Sequence, residues 1–157
     1  MAEPTTIDVD HRSLGVALYN SSWALLEKPD RTTDEEDELL HHAHTSAYHW
    51  LKAPECEPKN RARAEWLCSR VYSVLGRAEP ALHHARRSLE LCEQHTDNVE
   101  DWDLAFAYEA LARASRVAGL RDEARGYEQR GRELADQIAD PEDKEIVLKD
   151  YATLATD

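Results

Sequence analysis

Residues 64–92 read AEWLCSRVYSVLGRAEPALHHARRSLELC, and residues 107–135 read AYEALARASRVAGLRDEARGYEQRGRELA. Each stretch is a helical-period run, a glycine, and a second helical-period run. Gly76 is followed by Ala81 and Ser88, and Gly119 by Ala124 and Gly131, so both keep Gly-x4-Ala-x6-small at a spacing of 43 residues. Apolar residues at three- and four-residue intervals predict amphipathic helices. A glycine closing such a run predicts a left-handed C-terminal cap. Small residues at matched places in the second helix let two antiparallel helices cross closely. The repeated unit is therefore a helix–turn–helix.

The rest of the chain extends the pattern in both directions. Residues 1–10 read as a polar lead. Asp10 is placed to cap a first helix over roughly 11–28, with Leu14, Leu18, Leu25 and Leu26 at helical spacing. Thr33 and the acidic run Asp34–Glu38 start a second helix over about 33–53, because acid in a first turn complements the helix dipole. Further helices are expected over about 59–75, 79–95, 102–118 and 121–139. Asp140-Pro141 then restarts the chain as a seventh, about 141–154, with Asp140 the cap and Pro141 the first helical residue. Leu40-His41-His42-Ala43-His44-Thr45-Ser46 echoes Leu82-His83-His84-Ala85-Arg86-Arg87-Ser88, which predicts a third unit built from helices one and two.

Composition agrees. Ala and Leu together number 40 of 157 residues and Val and Ile only 10, a balance that favours helix over sheet. No apolar run approaches the roughly 20 residues of a membrane span. Met1-Ala2-Glu3-Pro4 does not have the basic-then-apolar form of a signal peptide. Three cysteines without pattern suit a reducing, cytoplasmic setting. A net charge of −13 argues against nucleic acid and anionic membranes as partners.

The two repeated stretches resemble the tetratricopeptide repeat. Cys68, Ser69, Tyr72, Gly76, Ala81 and Ser88 match its small and aromatic positions in one unit. Tyr108, Leu111, Ala112, Gly119, Ala124 and Gly131 match them in the other. Glu65 stands where the family has tryptophan, with Trp66 next to it, and Ser115 stands where it has tyrosine. The 43-residue spacing exceeds the family's 34. The chain is also similar to bacterial proteins of this size that carry the strings YHW, LGRAEPALHHAR and ADPED, a likeness that supplies no activity. The resemblance implies an all-α, right-handed solenoid of about three helix pairs over residues 11–157, ended by a capping helix. It also implies a concave face lined by the first helix of each pair.

Carried onto this chain, that face holds Arg63, Trp66, Arg70 and Ser73, beside Phe106, Glu109, Arg113 and Arg116. Helical geometry agrees, since each set shares one face at i, i+3, i+7 and i+10. Asn20 and Trp23 extend it on the first helix, and His44 or His49 is a candidate to point into it. Arginine pairs carboxylates bidentately, and tryptophan offers a stacking surface. The expected function is therefore a non-catalytic module that binds an acidic peptide or partner protein in this groove. Alternatively, the arginines pair with Glu65, Asp103 and Glu109 and only stabilise the array. The family's carboxylate clamp uses Lys and Asn where this chain has Arg and Trp, so its specificity does not transfer.

Two other functions compete. A small-molecule-binding protein or cofactor-free enzyme would use a His/Arg/Trp/Glu cleft. A metal protein would use the cluster His41–His49, completed by His83 or His84. Glu38-x-x-His41 has the form found in di-iron bundles, but no second such motif follows. No C-x-x-C is present, and neither a nucleophile elbow nor a phosphate loop occurs. No cofactor and no metal are expected. The apolar residues of the seventh helix, Ile146, Val147, Leu148, Tyr151 and Leu154, leave homodimerisation open.

Overall fold

A computed structural model describes residues 7–155. The rest of the expected polar lead, residues 1–6, lies outside the described residues. Seven helices and no strand occur among them: α1 (His11–Leu26), α2 (Thr33–Lys52), α3 (Pro58–Val74), α4 (Ala78–Gln94), α5 (Asp103–Val117), α6 (Arg121–Ala135) and α7 (Pro141–Thr153). None is long and apolar enough to cross a membrane.

The helix ends follow from local chemistry. Asp10 accepts from the Ser13 amide, and Asp140 accepts from the amides of Glu142 and Asp143 with Pro141 at the first position. The cap of α2 is Thr32, in a reciprocal capping box with Glu35. Gly76 and Gly119 have φ of 69° and 76°, a conformation glycine enters without a Cβ clash. After Gly76 the amide of Arg77 reaches back to Tyr72 O at 2.9 Å, and after Gly119 that of Leu120 reaches Ser115 O at 2.8 Å. Gly76 and Gly119 donate to Ser73 O and Arg116 O, which completes the same double-bonded stop at both turns. The sixth helix ends at Ala135, short of the expected 139. Ile138 turns inward there, 5% exposed, and the Ala139 amide donates to Asp101.

Packing is heaviest between chain neighbours α1 and α2, α3 and α4, and α5 and α6, and α3 also lies along α5. One core joins Leu39 and Ala43 to Leu67, Val71, Ala81, Ala85 and Leu111. A second joins Ala105, Ala112 and Ala135 to Val147, Tyr151 and Leu154 of α7. The expected leucine stripe of α1 holds at Leu25 and Leu26, which pack on the core, and fails at Leu14, which is exposed. Gly15 and Ser22 are buried instead: Trp50 packs over Gly15, and Ser46 donates to its carbonyl. On α7, Val147, Tyr151 and Leu154 are consumed internally, which leaves Ile146 as the exposed large apolar residue.

Gly131 marks the closest approach of α7. A Cβ there would overlap the Tyr151 hydroxyl, whose own hydrogen bond goes to Ala105 O at 2.6 Å. Gly131→Ala is therefore expected to lower stability by about 1–3 kcal/mol through overpacking. Gly126, on the same helix, has open space at its Cβ position. Gly126→Ala is expected to raise stability by up to about 1 kcal/mol. Urea denaturation of the two variants distinguishes these opposite signs.

Candidate functional site

The facing sides of α3 and α5 carry a ladder of charged and aromatic pairs. At its start, Arg63 Nε and Nη2 donate to Asp103 Oδ1 and Oδ2, both at 2.9 Å. The same guanidinium sits 4.2 Å from the Trp102 ring centre. Next, Trp66 meets Phe106 edge-on at 5.5 Å, and Trp23 of α1 lies 5.8 Å from Trp66. Around the middle rung, Glu109 is fully buried. It accepts from Trp66 Nε1 at 3.3 Å, Arg70 Nη1 at 3.1 Å and Arg113 Nε at 2.7 Å. Burial pushes the Glu109 carboxyl up, against the pull of Arg113 and Arg70.

Helix α7 closes the far end. Arg113 donates to Thr153 Oγ1 at 2.5 Å, and Arg70 Nη2 stands 3.7 Å from Asp150. Arg116 donates to Leu154 O at 2.7 Å and to Glu128, which Arg132 also holds. Burial pushes the Glu128 carboxyl up, but hydrogen bonds from Arg132 and Arg116 outweigh it and hold the group below its ordinary value.

The predicted groove residues thus do come together. Arg63 pairs with Asp103, Arg113 with Glu109, and Arg70 with both Glu109 and Asp150. Of the acids foreseen as structural partners, Asp103 and Glu109 take that role, whereas Glu65 pairs with His84. Asn20 is exposed at the margin, and Trp23 packs on the core. His44 and His49 do not join the groove. His44 Nε2 meets Tyr72 Oη at 2.8 Å, and His49 Nδ1 meets His11 Nδ1 at 2.8 Å. The reason is helical phase: His44 lies against the α3 side bearing Cys68 and Tyr72, well round from Trp66 and Arg70.

Two hollows lie along the ladder. One, about 50 Å³, is lined by Ala62, Arg63, Trp66, Cys92, Trp102 and Phe106, among others. The other, about 320 Å³, is lined by Arg70, Ser73, Val74, Arg113, Val117 and Thr153. That lining holds two guanidiniums and two hydroxyls but no carboxylate. Ser73 is 7% exposed, and its Oγ has no hydrogen-bond partner among the described residues. Asp150 and Thr153 were not foreseen, because nothing in the α7 sequence signals that its last turn reaches α3 and α5. The cysteines are poor nucleophiles here. Burial pushes the Cys68 and Cys92 thiols up to about 12, and Cys56 is also raised.

Comparison with protein-family models, with curated proteins and with solved structures finds no match for this chain.

Two outcomes follow from the ladder. Glu109→Ala leaves Arg70 and Arg113 buried without their shared acceptor and is expected to cost about 3–5 kcal/mol, read by chemical denaturation. Glu128, held below its ordinary 4.5, binds fewer protons folded than unfolded. Its contribution is present above pH 4.5 and is lost as the pH falls through the folded value. The melting-temperature gap between wild type and Glu128→Gln should therefore be open at pH 7 and shrink below pH 4.5.

Proposed function

We propose that this chain is a non-catalytic interaction module of the tetratricopeptide type, a right-handed solenoid of three helix pairs capped by α7. Its groove takes an acidic segment of another protein. The pairing order of the helices, the α3–α5 contact and the two identical glycine turns support the architecture.

The observation that carries the function is the 320 Å³ hollow at the α7 end, with Arg70 and Arg113 on its wall, no carboxylate in its lining, and the unpartnered Ser73 hydroxyl. A carboxylate entering there receives charge-assisted bonds from guanidinium and satisfies the serine. The ladder's own acids are already engaged, so they hold the arginines in position for the ligand. The half-buried rings of Trp102 and Phe106, edge-on at 5.9 Å, offer an apolar surface further along the ladder for the rest of the segment.

Ser73→Val tests this without disturbing an ion pair. It removes an unsatisfied buried hydroxyl, so the melting temperature should hold or rise. It also replaces the hydroxyl on the wall of the hollow by methyl groups, so the affinity for Asp/Glu-rich peptides, measured by titration calorimetry, should fall about tenfold. Wild-type affinity should also fall as salt is raised. Peptide binding that is indifferent to both Ser73→Val and salt would sink the reading, as would no binding by the wild type.

A further inference from the structure

On the opposite side of α3, three helices bring together donors that the charged ladder does not use. His44 of α2, Cys68 of α3 and His84 of α4 each offer a ligand atom, and these atoms lie within 4.8 Å of one another. We propose that they form a zinc site with three protein ligands and a fourth position open to water or a ligand from solution.

The donor set is the first argument. Two imidazoles and a thiolate suit a borderline-soft divalent ion. Two nitrogens at about 2.0 Å and a sulfur at about 2.3 Å from one ion stand roughly 3.3–3.6 Å apart in a tetrahedron. The ligand atoms, within 4.8 Å of one another, therefore need to close by about 1.5 Å at most. His44 is at the exposed rim and can swing inward, while Cys68 is 1% exposed and fixed in the floor.

The surroundings supply the second argument. Glu65 Oε2 stands 2.6 Å from His84 Nδ1. An ionised carboxylate only accepts, so Nδ1 carries the proton and a neutral His84 keeps its Nε2 lone pair for an ion. A carboxylate behind a ligating histidine is the usual support of such a site. Tyr72 stacks on the other face of the arrangement, 8° from parallel with the His84 ring, and so fixes the ring plane. Charge also balances: a dication is matched by the Cys68 thiolate formed on binding and by Glu65. The proton leaving Cys68 goes to solvent.

The register gives the third argument. Glu65, Cys68 and Tyr72 fall at i, i+3 and i+7 on one face of α3, turned toward both α2 and α4. Second partner, second ligand and stacking ring are thus held by one rigid helix. The exposed imidazole leaves the fourth position reachable from solution.

The test uses the full chain freed of metal by a chelator and titrated with Co²⁺. A tetrahedral site with a thiolate should develop a thiolate-to-cobalt charge-transfer band that saturates at one equivalent and is bleached by Zn²⁺. The band should persist in Cys56→Ser and vanish in Cys68→Ser. Glu65→Gln should weaken cobalt binding by about 10–100-fold, with the helical circular dichroism unchanged. His44→Ala, at an exposed position that cannot upset the core, should weaken it at least as much. The proposal is overturned if the wild type develops no charge-transfer band, or if the band survives Cys68→Ser. It is equally overturned if His44→Ala binds cobalt as tightly as wild type, a result that decides the matter even where Cys68→Ser fails to fold.

Discussion

A carboxylate with no exposure to water needs donors on every side, and Glu109 has them from two helices. Trp66 and Arg70 reach it from α3, and Arg113 reaches it twice from its own helix, through Nε at 2.7 Å and Nη2 at 2.6 Å. Such a group fixes geometry more than it adds stability, because desolvation offsets much of the attraction. Its effect is on register. Arg63 meets Asp103 while Arg70 meets Glu109 further along the same two helices. Sliding α3 past α5 by one turn would strand both pairs at once. The outer sides of Arg70 and Arg113 then look toward Asp150 and Thr153, so the placement of α7 follows from the same residues.

Helix α3 consequently serves two environments. One face is the ladder, shared with α5. Another carries Glu65, Cys68 and Tyr72 toward the histidines of α2 and α4. Leu67 and Val71, both fully buried, lie between them in the main core. A close-packed interior has low compressibility and transmits strain. Changes at one face of α3 therefore reach the other mainly by moving the whole helix.

Much of this was legible in the residues. Glycine closing a helical run, proline opening one, and Asp10 and Asp140 as caps are local signals, so seven helices could be counted before any tertiary contact was known. The stripe of Arg63, Trp66, Arg70 and Ser73 was also readable, since a shared face depends only on spacing. What spacing cannot say is which face meets which neighbour. Hence His44 was a candidate for the groove, yet it lies with His84 and Cys68 on another side of α3. One part of the α1 packing was hidden for a related reason: Gly15 is buried because Trp50 packs over it, a demand that originates on α2. In the sequence Glu65, Cys68 and Tyr72 read singly, as a candidate arginine partner and as repeat positions, and their meaning as a set depends on α2 and α4 being adjacent to them.

The docking of α7 has a consequence for the order of events during synthesis. The first six helices each pack on the next in sequence, so they can collapse as they emerge from the ribosome, with short loops to close. Arg113 and Arg116 cannot finish in this way, since their acceptors include Thr153 Oγ1 and Leu154 O, which follow α6 in the sequence. Until those residues are made, the two guanidiniums have Glu109 and Glu128 but not the α7 oxygens, and water must hold that side. The final turn of α7 is therefore a commitment step. Without the last turn of α7 the six preceding helices keep their local structure, and Arg113 and Arg116 keep Glu109 and Glu128, but water must stand in for the α7 oxygens, the kind of local defect a quality-control protease can act on.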